Sequence, residues 1–203
     1  MPFTNIQHMK KILFYTLFVC ISFLSIAQTP NKTTENRVIS VIDSSQVNNM
    51  VLKQSFVVNV ALDSVWNAYT TKKGWESWAT SIAEIDFKIN GVIKTNYNKD
   101  GKIGDDSTIT LHIINYIPKR MLTLQAELTK NFPEFMKEDE KDLFNMILFE
   151  KIAPSKTKII SYGIGYKKNE KYKSLMKFFI QENEQSYLNL ISYLETGKPS
   201  VKY

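Results

Sequence analysis

The sequence predicts an α+β fold in which a twisted antiparallel β-sheet curves around one long C-terminal helix. Apolar and polar residues alternate over several segments between residues 51 and 166, which is typical of half-buried antiparallel strands. Residues 171–195 instead carry apolar side chains at helical spacing, and Gly197 and Pro199 follow where a helix normally ends. A sheet of this kind can leave a cavity between its curved face and the helix.

The predicted domain opens with one strand and two short helices. Alternation over residues 51–60 indicates the strand. Asp63 is a suitable N-cap for the first helix, and Lys73-Gly74 is a suitable end for it. A second short helix or turn is expected around residues 75–78.

Six further strands are predicted before the long helix. Asn90-Gly91 is a strong signal for the tight turn between the first two of them. The predicted strands cover residues 83–89, 92–98, 108–117, 121–128, 145–152 and 158–166. The domain is therefore expected over residues 51–198, followed by a short tail over residues 199–203.

Residues 1–27 are predicted to be a secretory signal peptide, with Met9 as a more natural start than Met1. Two lysines precede an apolar run over residues 12–24, and a small-x-small site ends at Ala27. The run is shorter than the roughly 20 residues that span a bilayer. We therefore expect a periplasmic or secreted protein without an integral membrane segment after cleavage. Residues 28–50 are polar and are predicted to be an arm or linker.

The composition excludes several classes of protein. The chain has 203 residues, of which 43% are hydrophobic and 12% aromatic, so it suits one globular domain and not a disordered chain. One Cys excludes a disulfide scaffold and a multi-cysteine zinc site, and two His offer little for a metal centre. The excess of 26 Lys plus Arg over 20 Asp plus Glu is spread along the chain, whereas nucleic-acid binding needs a concentrated basic face. We predict no metal, no cofactor and no nucleic-acid partner.

Five segments resemble a known family. They are Phe56–Trp66, Gly74–Trp78, Asp100–Ile109, Tyr116-Ile117-Pro118 and Tyr193–Lys198. In this order and spacing they resemble the START-like, or SRPBCC, superfamily, in the branch related to the activator of heat-shock-protein ATPase. The resemblance implies a helix-grip fold, often with an apolar ligand cavity. The superfamily includes lipid carriers, hormone receptors, cyclases and cochaperone modules, so the fold alone does not choose a function.

The predicted ligand site lies between the sheet and the middle of the long helix. Residues 181–186 are all polar, although steps of three or four from Phe179 bring Asn183 towards the sheet. Asn183 either lines a cavity and orients a ligand or is a buried polar group satisfied by the protein itself. The candidate cavity residues are Trp66, Trp75, Trp78, Tyr97, Tyr116, Phe149, Phe179 and Asn183.

These features favour an exported carrier that binds or sequesters a small hydrophobic molecule such as a lipid, without catalysis. One alternative is a cyclase- or hydrolase-type enzyme that uses His112 or a carboxylate in the same cavity. Another is a protein-interaction module with a filled core and an exposed apolar patch. Residues 131–142 are interpreted either as a mobile lid or as a surface loop.

Overall fold

The computed structural model describes residues 36–130 and 132–201. The signal peptide predicted over residues 1–27 lies outside the described residues. Residues 36–127 and 139–201 belong to one compact unit, and residues 128–138 belong to another. No helix in the described ranges is long and apolar enough to cross a membrane.

The larger unit contains an antiparallel sheet of eight strands, curved and open, with the order β1-β2-β8-β7-β6-β5-β4-β3. Register shifts in β2, β5 and β7 mark irregularities of the kind that bend a sheet. The strands are β1 (Val38–Asp43), β2 (Asn49–Val58), β3 (Ile82–Ile85), β4 (Val92–Asn96), β5 (Ile109–Ile117), β6 (Met121–Ala126), β7 (Phe144–Ala153) and β8 (Lys156–Lys167). The predicted α+β class is confirmed.

In strand β2 the alternation of apolar and polar residues in the sequence corresponds to alternating buried and more exposed side chains. Leu52, Phe56 and Val58 are buried on one face, as predicted. Gln54 lies on the same face and is just as buried. A polar side chain at such a position requires an internal hydrogen-bond partner.

Strand β1 was not predicted, because it lies within residues 28–50, which the sequence analysis interpreted as a polar arm. It pairs with β2 from Val38 opposite Phe56 to Asp43 opposite Val51. Its sequence places β-branched apolar residues on both faces, so no alternation signals the strand. The described part of the arm is therefore the edge of the sheet.

Two short helices follow β2, as predicted, but their boundaries differ from those expected. Helix α1 (Leu62–Thr70) has Ala61 as its N-cap, so Asp63 lies in the first turn, where a carboxylate favours the helix dipole. Helix α2 (Lys72–Trp78) begins directly afterwards, with the Thr71 hydroxyl accepting a hydrogen bond from the Gly74 amide. Gly74 does not end α1. It lies inside α2, where a Cβ would stand 2.4 Å from the Asn67 carbonyl oxygen.

The long helix α4 (Glu170–Thr196) extends one residue beyond the predicted range at each end. The Asn169 side chain accepts a hydrogen bond from the Tyr172 amide at the N-terminus. Gly197 has a φ of 76° and closes the C-terminus in the left-handed conformation. The buried side chains of α4 are Tyr172, Met176, Tyr187, Asn189, Leu190 and Ile191.

Residues 128–138 contain the short helix α3 (Glu134–Lys137), which begins after Pro133. Lys137 and Glu134 form an ion pair at 3.1 Å within this segment. The following 3₁₀ turn, Glu140–Asp142, belongs to the larger unit. The interpretation of residues 131–142 as a lid stays a prediction, and Asn131 itself lies outside the described residues.

A buried carboxylate connects the 3₁₀ turn, the end of β8 and the start of α4. Asp139 is 5% exposed and accepts hydrogen bonds from the Tyr172 hydroxyl at 3.0 Å and from the Lys167 ammonium. Burial raises the pKa of Asp139, but the two hydrogen bonds outweigh it and hold the pKa below the ordinary value. The carboxylate therefore stabilises the folded state in its charged form.

We expect Asp139→Asn to lower the free energy of unfolding by about 1–3 kcal/mol at neutral pH, because the substitution removes a charged acceptor from two donors. The folded-state pKa lies below the unfolded value, so the difference from the wild type is complete above the ordinary pKa of 3.8 and is lost as the pH falls through the folded-state pKa. Urea unfolding at several pH values measures this difference. Asp86→Asn, which removes an exposed partner of Lys88, is the control and should change stability little.

Candidate functional site

Aromatic side chains fill much of the space beneath helix α1 on the inner face of the sheet. Neighbouring ring centroids lie 4.7–6.3 Å apart in one connected cluster. We call this the aromatic cluster. Its members are Trp66, Tyr69, Trp75, Trp78, Phe87, Tyr116 and Phe149.

The aromatic cluster runs from the protein surface to a fully buried tyrosine. Trp66, Phe87 and Tyr116 are half-buried and form its outer end. The Trp66 ring packs edge-on against Phe149 at 5.5 Å, and Phe149 packs in the same way against Tyr69 at 5.3 Å. These rings therefore form a continuous apolar path into the interior.

The Tyr69 hydroxyl lies at the inner end of this path and has no hydrogen-bond partner. Among the residues that the structure describes, it is the only buried side-chain oxygen or nitrogen in this condition. Burial raises the pKa of Tyr69 well above the ordinary value of 10, and the neighbouring Tyr187 raises it further. The group is therefore a neutral donor at physiological pH, and its burial without an acceptor costs free energy.

Tyr187 brings helix α4 to the same region of the interior. Its ring packs against Phe56 of β2 at 4.9 Å. Burial raises the pKa of Tyr187, and hydrogen bonds with Ser161 and Asn145 on the inner face of β8 and β7 partly oppose this rise. Tyrosines from two different helices are thus buried in the same apolar interior, near enough for each to affect the charge state of the other.

Tyr166, near the end of β8, is a third tyrosine of this group. Its pKa is raised to about 12 by burial and by the neighbouring Tyr187. The ring lies over Gly163, where a Cβ would come within 2.8 Å of a ring carbon. Phe179 packs against the other end of this group, 5.8 Å from the Tyr166 ring centroid.

Asn183 approaches the sheet from mid-helix, as the sequence predicted, and its amide has a protein partner. It donates a hydrogen bond of 2.8 Å to Gln54, the buried polar residue of β2. Gln54 in turn donates to the Ser40 hydroxyl of β1 at 2.9 Å, and Ser40 donates to Glu184 at 2.6 Å. Of the two interpretations left open, the satisfied polar group describes this structure.

Some of the other predicted cavity residues belong to the aromatic cluster, and the others lie outside it. Trp75 and Trp78 donate their indole N–H groups to the carbonyls of Tyr69 and Ala68, so they fix α2 against the end of α1. Tyr97 is 48% exposed and lies outside the aromatic cluster. The structure therefore brings together Trp66, Trp75, Trp78, Tyr116 and Phe149 and leaves Tyr97, Phe179 and Asn183 outside that cluster.

The sequence analysis missed Tyr69, Phe87, Tyr187 and Gln54 as site residues. Tyr69 and Tyr187 both lie on predicted apolar helix faces, and a tyrosine there looks like ordinary core. Gln54 has a clearer signal, because it interrupts the buried positions of β2 with a polar side chain. If Gln54 had been considered together with the polar residues 181–186 of α4, the hydrogen bond between Gln54 and Asn183 could have been predicted.

His112 does not enter the interior. Its side chain is 45% exposed, and its Nε2 atom lies 3.8 Å from the Glu127 carboxylate. The enzyme hypothesis therefore loses its best residue. Across residues 36–130 and 132–201, no group of three or more His, Cys, Asp or Glu side chains is arranged to hold a metal ion.

An open groove of about 410 Å³ lies elsewhere, between helix α2, Lys99 and the C-terminal segment 197–201. Of the predicted cavity residues, only Trp78 borders it. Buried Asn189 holds this segment in place by accepting hydrogen bonds from Ser200 and Val201 and donating to the Trp78 carbonyl. The groove is thus an open surface feature at the end of α4, and Trp78, whose ring packs against Tyr69 at 5.5 Å, is the member of the aromatic cluster that borders it.

Comparison with known proteins gives one family match. A family model described as activator of Hsp90 ATPase homolog 1-like protein matches residues 59–195. A comparison with curated proteins finds no match.

Solved structures share the fold at low sequence identity. A conserved protein of unknown function, EF2215 from Enterococcus faecalis, is 12% identical with a TM-score of 0.58, covering 80% of this chain and 81% of that one. The Aha1 dimer from Colwellia psychrerythraea is 17% identical with a TM-score of 0.56, covering 75% and 99%. CalU16 from Micromonospora echinospora is 12% identical with a TM-score of 0.55, covering 83% and 80%. At these identities the likeness concerns the fold alone.

The unpaired Tyr69 hydroxyl predicts an unusual response to mutation. We expect Tyr69→Phe to leave the free energy of unfolding unchanged or to raise it by up to about 1–3 kcal/mol, because it removes a buried donor without an acceptor. Tyr172→Phe is the matched control and should lower it by about 1.5–3 kcal/mol, because it removes a fully buried hydroxyl that donates a hydrogen bond to the Asp139 carboxylate. Chemical denaturation of ligand-free protein measures both. Equal destabilisation by the two variants would contradict the assignment of Tyr69.

Proposed function

The chain belongs to the family of activator of Hsp90 ATPase homolog 1-like proteins, and we propose that it binds a small, largely apolar molecule between the sheet and helices α1 and α4. The match to that family confirms the resemblance drawn from the sequence. Its START-like α+β fold is consistent with a ligand-binding domain. Our more specific proposal is a non-catalytic carrier or sequestering protein.

The single observation that carries this proposal is the unpaired Tyr69 hydroxyl at the inner end of the aromatic cluster. Ligand sites are typically apolar pockets with a few convergent polar groups, and an unsatisfied buried donor calls for an acceptor. A molecule with an apolar body and one carbonyl, ether or hydroxyl oxygen supplies that acceptor. The half-buried rings of Trp66, Phe87 and Tyr116 offer the entry path.

Apolar burial supplies most of the binding free energy in this proposal. Removing apolar surface from water contributes roughly 25 cal/mol per Å², before the cost of association is subtracted. The rings that now pack together must separate to admit the ligand, and part of the gain offsets this rearrangement. The Tyr69 hydrogen bond then selects the orientation, because the protein offers that donor no other acceptor.

The absence of a catalytic role is part of the proposal. Neutral tyrosine hydroxyls donate hydrogen bonds, but because burial raises their pKa values, almost no tyrosinate is present at neutral pH to act as a general base. The exposed His112 offers no base to the interior. These features favour a binding protein over a cyclase or hydrolase.

Ala68→Leu tests the site by filling it. Ala68 is buried on α1 next to Tyr69, and the larger side chain should compete with a ligand for the same space. We expect wild-type protein to bind Nile red, a neutral apolar dye with a carbonyl acceptor, and to increase its fluorescence. Ala68→Leu should weaken this binding by about tenfold or more.

Two controls locate the binding. Asn67→Leu adds the same side chain on the exposed side of α1 and should leave Nile red binding unchanged. Val201→Arg alters the wall of the surface groove and should also have no effect. The proposal fails if the wild type takes up no dye, if Ala68→Leu binds it normally, or if Val201→Arg abolishes binding and thereby assigns it to the groove.

We also propose that the protein acts outside the cytoplasm, on the strength of the basic, apolar and small-residue pattern of residues 9–27. Expression of the full chain in a Gram-negative host should yield a processed protein in the periplasmic fraction, and N-terminal sequencing should start at Gln28. Lys10→Glu with Lys11→Glu removes the basic start and should reduce processing. An unprocessed wild-type protein in the cytoplasm would refute export.

A further inference from the structure

Strand β1 forms one edge of the sheet, and no described strand pairs with its outer side. We propose that this edge pairs with the same edge of a second copy of the chain, so that two sheets join into one antiparallel sheet across a two-fold axis at Ser40. The proposal concerns a surface outside the ligand site and does not depend on ligand binding. It rests on three observations: apolar residues of β1 are exposed, an amide of the opposite edge strand is hydrogen-bonded by a side chain, and the sequence around Ser40 is self-complementary.

Large apolar side chains are exposed on both faces of β1. Ile39 is 61% exposed and Val41 is 50% exposed on the outer face of the sheet. Ile42, on the face that carries α4, is 39% exposed. Exposed apolar edge strands with free backbone groups are sites for pairing with another strand, and monomeric proteins usually protect such edges with charges, prolines or a covering element.

The opposite edge of the sheet is protected in that way. The Glu76 carboxylate on α2 accepts a hydrogen bond of 3.1 Å from the Ala83 amide of β3. One edge is therefore capped by a side chain from a helix, whereas β1 has neither a Lys nor a Pro within Val38–Asp43. The two edges therefore differ, and β1 is the edge that is better suited to pair with another strand.

The sequence around Ser40 is self-complementary, and for this reason we propose that the strand pairing with β1 is the β1 of a second copy of the chain. Read towards the two ends, Ile39 is matched by Val41, Val38 by Ile42 and Arg37 by Asp43. When two such strands pair antiparallel with Ser40 on the axis, β-branched residues face β-branched residues and opposite charges face each other at both ends. A self-complementary edge of this kind suits a two-fold dimer.

Helix α4 contributes a further apolar residue on the same side. Glu184 of α4 accepts the hydrogen bond from Ser40, so this face of the helix lies next to the strand. Leu188 lies one helical turn further on the same face and is 40% exposed. Leu188 and Ile42 thus extend the apolar surface from the strand towards the helix.

Arg37 retains its present contacts in this arrangement. Its guanidinium donates to both carboxylate oxygens of Glu195, at 2.9 Å and 3.3 Å, and to the Val57 carbonyl at 3.2 Å. The side chain is still 41% exposed, so Asp43 of the second copy adds a solvated neighbour of opposite charge. Such exposed pairs contribute little energy, and their role here is to favour one register over its neighbours.

Sedimentation velocity of the purified full chain, from about 1 μM to about 1 mM, tests the proposal, because a short strand pairing suits a weak interface. We expect a reversible monomer–dimer equilibrium. Ile39→Lys places like charges near the axis in both copies and should raise the dimer dissociation constant by at least about tenfold. Ile117→Lys is the matched control, since Ile117 is 55% exposed on β5, which four other strands separate from β1, and it should leave the equilibrium unchanged.

A cysteine variant tests the register separately. In a Cys20→Ser background, Ser40→Cys should form a disulfide-linked dimer with oxidised glutathione, because directly paired residues of antiparallel strands have Cα atoms about 4.5–5.5 Å apart. Ser45→Cys, beyond the end of β1, is the control and should not cross-link. A monomer at every concentration, a dimer insensitive to Ile39→Lys, or equal cross-linking of the two cysteine variants would overturn the proposal.

Discussion

Helix α4 buries several polar side chains against the rest of the protein, and each of them needs a hydrogen-bond partner there. Asn183 pairs with Gln54, and Asn189 pairs with the Trp78 carbonyl and the C-terminal segment. The Tyr172 hydroxyl donates a hydrogen bond to Asp139. Because an unmade buried hydrogen bond costs more than a made one contributes, these pairs favour one position of the helix against the sheet, helix α2 and the turn before β7. The rest of the interior is arranged around that position.

The sequence predicted the strands and helices in which apolar residues recur at regular spacing on one face only. Strand β2 and helix α4 present apolar residues at regular spacing, and both were found within a few residues of their observed limits. Strand β1 was missed because its apolar residues occupy both faces, and Gly74 was misinterpreted because a glycine that permits close helix packing looks the same in sequence as one that ends a helix. A periodic pattern of apolar residues indicates that one face of an element is buried. It gives no signal for an exposed strand such as β1, or for a glycine such as Gly74 that allows two backbones to come close.

For the site, the sequence identified side-chain types better than their partners. It located a polar approach at Asn183 and five of the seven members of the aromatic cluster. It did not find the contact with Gln54, because the two residues are 129 positions apart and each is satisfied only through the fold. The isolation of the Tyr69 hydroxyl is a property of three-dimensional packing, since it depends on which acceptors fail to come near. This is the feature on which the functional proposal rests, and no local sequence pattern encodes it.

The capped edge at Ala83 has a consequence for assembly. A sheet with two open edges can add copies at both ends and grow into a filament. Here the Glu76 carboxylate occupies the edge amide of Ala83, which disfavours the addition of a strand beside β3. Any association through β1 uses up the remaining open side of both copies, and growth stops there. A carboxylate on a seven-residue helix would thereby favour a closed pair of chains over a growing filament.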